Sequence, residues 1–99
     1  MPTYFILETV TREGMLTVEQ APARAAGVVD AAASFGVTLH EWFYTVGDFD
    51  FLMKVDAPDD ESVTAFLIAL RRSGNVTARL VRAYTPDAWR GLVERLQAG

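Results

Sequence analysis

The segment from Thr3 to Val10 constrains the fold more than any other part of the chain. It is rich in β-branched and aromatic residues and contains no breaker, so it reads as a strand. Its two alternating sets are both apolar, with Tyr4, Ile6 and Val10 on one face and Phe5 and Leu7 on the other. A strand of that kind belongs inside a sheet whose two faces are both covered. Ninety-nine residues suffice for one domain and not for two. The first strand is therefore expected to organise a single core, with residues 1–99 as one domain.

The elements that follow are marked by their punctuation. Thr11 to Gln20 is a polar connection whose Met15, Leu16 and Val18 are expected to pack down. Pro22 suits a helix start, and an Ala-rich helix to about Phe35 ends at Gly36 in the left-handed position. Val37–Val46 and Phe49–Asp56 read as a hairpin around a two-residue Gly47-Asp48 turn. That register sets Tyr44 opposite Phe51 and pairs Glu41 with Lys54, opposite charges that favour it. Asp59 caps a helix carrying Val63, Phe66, Leu67 and Leu70, closed by Arg71, Arg72 and Gly74. Val76–Tyr84 is a fourth strand whose Arg79 and Arg82 suit a sheet edge. Thr85-Pro86 starts a final amphipathic helix with Trp89, Leu92, Val93 and Leu96. The order β-α-β-β-α-β plus a terminal helix gives the fold class: α+β, ferredoxin-like, with a four-stranded antiparallel sheet.

In this fold both main helices cover one face of the sheet. The register places His40, Trp42, Tyr44, Phe51, Met53 and Val55 beneath them. Leu39, Phe43, Leu52 and one set of the first strand fall on the bare face, an apolar area of roughly 400 Å². A patch of that size marks an interaction site, so the chain is expected to pair with itself as a homodimer or larger oligomer through Leu39, Phe43 and Leu52. The alternative is that the terminal helix folds back over this face.

Composition excludes several function classes. The net charge is −4 and the basic residues are scattered, unlike the clustered basic face of a nucleic-acid binder. No run approaches the ~18 apolar residues of a membrane span. With no cysteine there is no disulfide framework, thiolate nucleophile or thiolate metal site. The start of the chain has no basic n-region, and its apolar run is too short for a secretory leader. A cytoplasmic protein without metal or cofactor is the expectation.

Few residues can carry chemistry. The lone His40 makes a poor metal site; it is read as a partly exposed strand-end residue, and its chemical reading is a general base or a haem-type ligand. Trp42, Tyr44 and Asp50 flank the turn. They are either core aromatics with a turn carboxylate that bonds local backbone, or a ligand pocket with polar tips. The acids Asp59, Asp60 and Glu61 are explained by helix capping. Phosphate loops, H-E-x-x-H and nucleophile elbows are missing from the sequence. Candidate catalytic residues are thus His40, Tyr44 and Asp50, and candidate ligand contacts are Trp42, Tyr44, Phe51 and Met53. Because the first helix has small side chains, it is expected to move in until the aromatics close the core, since voids are costly. Otherwise an apolar cavity remains, bordered by a phenol and an imidazole and suited to a flat aromatic molecule.

The run Phe43-Tyr44-Thr45-Val46-Gly47-Asp48-Phe49-Asp50, continuing through Val55-Asp56-Ala57-Pro58-Asp59-Asp60, resembles the GYD-domain family, named for a Gly-Tyr-Asp signature at this hairpin. Pro2-Thr3-Tyr4, Gly74-Asn75-Val76 and Arg82-Ala83-Tyr84-Thr85 are similar to that family as well. Gly47 and Asp50 match the signature, and Phe49 takes the tyrosine position, which removes a hydroxyl. The resemblance implies the dimeric α+β barrel arrangement, in which two ferredoxin-like units join sheets. Three functions stay open: a homo-oligomeric domain binding a small apolar or aromatic molecule, a cofactor-free oxygenase or isomerase of the barrel type, and a pure assembly module.

Overall fold

The computed structural model describes residues 1–98. Strand β1 (Thr3–Val10) is followed by a short helix α1 (Arg12–Leu16), a 3-10 turn at Val18–Gln20 and helix α2 (Ala21–Ser34). Strands β2 (Thr38–Tyr44) and β3 (Phe51–Asp56), helix α3 (Asp60–Arg72), strand β4 (Val76–Ala83) and helix α4 (Pro86–Ala98) complete the chain. The strands form one antiparallel sheet in the order β2-β3-β1-β4. The fold is ferredoxin-like, with β1 inside the sheet and β4 at its edge, as the two-sided β1 and the arginines of β4 suggest.

Local chemistry places the helix ends. Asp59 accepts from the backbone N–H of Ser62 at 2.8 Å, and this bond holds its carboxyl below the usual carboxylate range. Gly36 and Gly74 have φ of 75° and 78°, the left-handed conformation that follows a helix. Thr85 caps α4 through Ala88 N–H at 3.1 Å.

The core lies between the sheet and helices α2 and α3. Tyr4 and Ile6 of β1 and Met53 and Val55 of β3 meet Ala32 of α2 and Val63, Phe66, Leu67 and Leu70 of α3. Tyr4 donates its phenol to Asp60 at the start of α3. Burial, and then that bond, push the phenol up to about 12.

Four sequence expectations are corrected. The hairpin is wider than a two-residue turn: β2 ends at Tyr44 and β3 begins at Phe51. The ladder adds one bond, Thr45 N–H to Asp50 C=O at 2.7 Å. The chain opens there because Asp50 is tied to β1, donating its N–H to Glu8 C=O and accepting from Val10 N–H through Oδ2 at 2.8 Å.

The second correction is a bulge in β2. Tyr44 does face Phe51 and Glu41 does face Lys54, but Leu39 pairs with Val55, so the register shifts at His40. One extra residue reverses the facing of everything before it. Leu39 therefore packs against the core instead of lying on the bare face. His40 does not share a side with Trp42 and Tyr44; its imidazole meets Asp56 and stays exposed.

Third, Met15, Leu16 and Val18 are exposed. Helix α1 docks through the buried Gly14, where an added Cβ would run into Asn75 C=O. Its apolar side chains are left pointing outward. Fourth, the core under α2 does not close, and a cavity remains there.

Helix α4 leaves the bare face uncovered. Phe43 and Val81 are 53% and 47% exposed there, and Trp89, Val93 and Leu96 of α4 are exposed as well. No helix among the described residues is long and apolar enough to cross a membrane.

Candidate functional site

The cavity between the sheet and helices α2 and α3 has a volume of about 390 Å³, within the range of small-molecule sites. Its roof follows from the alanine content of α2. Ala21, Ala25 and Ala31 with Val28, and Ala69 of α3, line it with side chains too short to reach the sheet. Its floor is the helix side of the strands: Glu8 and Val10 of β1, Phe51 of β3, and Trp42 and Tyr44 of β2.

Sheet register assembles one aromatic wall. Tyr44 pairs with Phe51, and Phe51 pairs in turn with Glu8. The Tyr44 ring stands edge-on to Phe51, with centroids 4.9 Å apart at 89°. Trp42 lies 6.0 Å from Tyr44 and 6.3 Å from Phe51. Tyr44 forms the rim and is 57% exposed.

Two polar atoms stand out in this apolar lining. Glu8 is only 3% exposed, and its Oε1, like the indole Nε1 of Trp42, has no hydrogen-bond partner in the protein. Burial pushes the Glu8 carboxyl up to about 7. At neutral pH such a group can both hold and release a proton, whereas the indole N–H can only donate. Arg24 also lines the cavity, but its guanidinium is committed to the carbonyl of Thr17 at 2.9 Å and to that residue's hydroxyl.

The residues singled out in the sequence are thus divided. Trp42, Tyr44 and Phe51 line the cavity, and Met53 does not, being fully buried in the core. Asp50 bonds the backbone of β1. His40 lies 2.7 Å from Asp56, away from the cavity lining. Gly47, with φ of 148°, and Phe49, whose carbonyl accepts from Thr45 Oγ1 at 2.6 Å, shape the hairpin rather than the cavity. Among the described residues, no group of three or more His, Cys, Asp and Glu is placed to hold a metal ion.

Glu8 was not among the residues singled out. The signal was nevertheless present: in a strand of period two, Glu8 falls in the same inward set as Tyr4, Ile6 and Val10.

Known proteins share this architecture. A "Glutamine synthetase and cystathionine beta-lyase binding protein" of Thermus thermophilus is 30% identical over 84 residues, covering 84% of this chain and 88% of that one. The crystal structure of FFRP-DM1 superposes with a TM-score of 0.61 at 15% identity, over 85% of this chain and 100% of the other. The hypothetical protein PHS023 from Pyrococcus horikoshii gives a TM-score of 0.55 at 16% identity, over 86% and 92%. At such identities these two structures speak for the fold alone. The GYD domain pattern matches residues 4–93, nearly the whole length and including every strand and the hairpin, and the chain therefore belongs to the GYD domain family.

Proposed function

We propose that this chain is a self-associating binding domain whose cavity takes a small, largely apolar molecule with an aromatic ring. The observation that carries this reading is the pair of buried, unpartnered polar atoms, Glu8 Oε1 and Trp42 Nε1, on residues that line a mostly apolar cavity. A buried polar atom without a partner costs about 1–3 kcal/mol. A ligand bound here buries its ring against Trp42, Tyr44 and Phe51 and brings a polar group to the Glu8 carboxyl.

The test uses Trp42 as reporter. In a Trp89→Phe background the indole emission comes from Trp42 alone, since the chain has two tryptophans. A fragment library of mono- and bicyclic aromatics should contain compounds that change that emission saturably. Ala31→Phe, which fills the roof, should remove the response while the chain stays folded. A library that yields no saturable change would end this reading.

A second reading is a protein-binding module. The Thermus relative is named for binding two enzymes, and the present chain exposes apolar side chains on α4 and on the bare sheet face. Under this reading Trp89→Ala and Leu96→Ala weaken capture of a partner enzyme, with glutamine synthetase the first to try, and leave aromatic binding intact. Unchanged capture by both variants would remove α4 from that role.

A further inference from the structure

We infer that the cavity selects an arylalkylamine, its ring against the wall of Trp42, Tyr44 and Phe51 and its ammonium group on the carboxyl of Glu8. The inference rests on the ligand-binding reading above and adds the charge and class of the ligand.

Charge decides the class. The ionisable residues lining the cavity are Glu8 from β1, Arg24 from α2 and Tyr44 from β2. Tyr44 is at the rim, and Arg24 is held by Thr17. The remaining lining residues from α3, β3 and β4, among them Phe66, Leu70, Phe51 and Val76, bring no charge. Arg24 turns its Nη2 to Thr17, no side chain bonds the Glu8 Oε1, and burial alone accounts for the raised carboxyl, so no lining cation is paired with Glu8. An anionic ligand would set a second negative charge against the buried Glu8. A neutral alcohol offers a hydrogen bond without compensating charge. An ammonium supplies both, in a charge-assisted bond that is shorter and stronger than a neutral one.

The surroundings suit the rest of such a molecule. Aromatic faces attract a nearby cation, and three rings border the site. The cavity of about 390 Å³ has room for a one- or two-ring body. Proton linkage follows from burial. Glu8, pushed up to about 7, is mostly protonated at pH 5 and must release its proton when the ammonium arrives. Amine binding is then weaker at pH 5 than at pH 8 and liberates close to one proton per site at the lower pH.

The experiment is calorimetry on the intact chain with three probes of similar shape: 2-phenylethylamine, 2-phenylethanol and phenylacetate. At pH 8 the amine is expected to bind at least tenfold tighter than the alcohol, with phenylacetate weakest. The advantage should shrink at pH 5, where the heat should vary with the ionisation enthalpy of the buffer. Glu8→Gln should abolish the amine's advantage over the alcohol. Alcohol bound as tightly as amine by the native chain overturns the amine assignment and leaves the cavity reading standing. An amine advantage that survives in Glu8→Gln also overturns it, as does amine binding that survives in Ala31→Phe. Failure of all three probes to bind at millimolar concentration, together with an empty aromatic screen, overturns both readings. The buffer dependence is read on the native chain, so the assignment remains testable even if a variant fails to fold.

Discussion

His40 Nε2 lies 2.7 Å from Asp56 Oδ2, across a bulge that sets these residues on the same side of the sheet. The other oxygen of Asp56 accepts from Thr3 Oγ1 at 2.7 Å. The Thr3 hydroxyl first, and the imidazole after it, hold the Asp56 carboxyl below the usual carboxylate range. One carboxylate thus ties together β1, β2 and β3 at the end of the sheet. Because its folded-state pKa is depressed, its contribution is present above the unfolded value of about 3.9 and is lost as pH falls through the folded value. Asp56→Asn should cost about 1–2 kcal/mol at pH 7 in urea melts, and the gap from the native chain should close in acid. Equal urea midpoints at pH 7 would show that these bonds contribute no net stability.

Glu8 has the opposite sign. Its carboxyl is raised to about 7 by burial, above the unfolded value of about 4.3. Between these values the folded chain keeps a proton that the unfolded chain releases. Stability is therefore lost as pH rises through that window, by up to about 4 kcal/mol. Glu8→Gln cannot titrate, so it should gain stability relative to the native chain from pH 5 to pH 8. Thermal melts across that range check this. Parallel curves for the two chains would show that Glu8 is solvated in the folded state.

How much of this was legible in the sequence depends on the kind of signal each feature leaves. The two apolar sets of β1, the Glu41–Lys54 pair and the capping residues Asp59 and Thr85 are local patterns, and they fixed element order and register. The bulge at His40 has no such signature: it is set by how β2 meets β3, and it moved Leu39 and His40 to the opposite faces. The cavity arises from a length mismatch between the alanines of α2 and the sheet. Sequence shows the small side chains but not the height of the helix above the floor. Glu8 had a periodic signal and was masked by its apolar neighbours.

Three glycines separate crowding from backbone conformation. At Gly14 an added Cβ would lie 2.2 Å from Asn75 O and 2.9 Å from Val10 Cγ1, and the first of these is backbone that cannot swing away. Gly14→Ala should cost about 3 kcal/mol by forcing α1 off β1. Gly27, inside α2, has open space around it, so Gly27→Ala should gain up to about 1 kcal/mol from helix propensity. Gly47 also has free space, and its φ of 148° is one that side chains rarely adopt; Gly47→Val should cost about 1–3 kcal/mol. Melting temperatures of the three variants are expected in the order 27, 47, 14. A Gly14→Ala chain as stable as the native one would mean that α1 is not docked.

The bare sheet face supplies the last expected outcome. Phe43 pairs with Leu52, and Leu52 pairs with Leu7, so one apolar row crosses three strands. Phe5 and Val81 form a second row beside it. Helix α4 does not shield either Phe43 or Val81. Covering this face of roughly 400 Å² with a second copy removes on the order of 10–20 kcal/mol of apolar exposure, gross over both copies. That exceeds an association cost of several kcal/mol. Sedimentation at micromolar concentration should therefore give a dimer or a larger species. Phe43→Asp should reduce it to monomer, because a carboxylate at the centre of the joined sheets would be desolvated without a partner. The variant should keep its helical circular dichroism, since Phe43 points away from the core that α2 and α3 share with the strands. A native chain that sediments cleanly at 10.9 kDa would show that this face works alone in water, and a Phe43→Asp chain that remains dimeric would move the interface to α4.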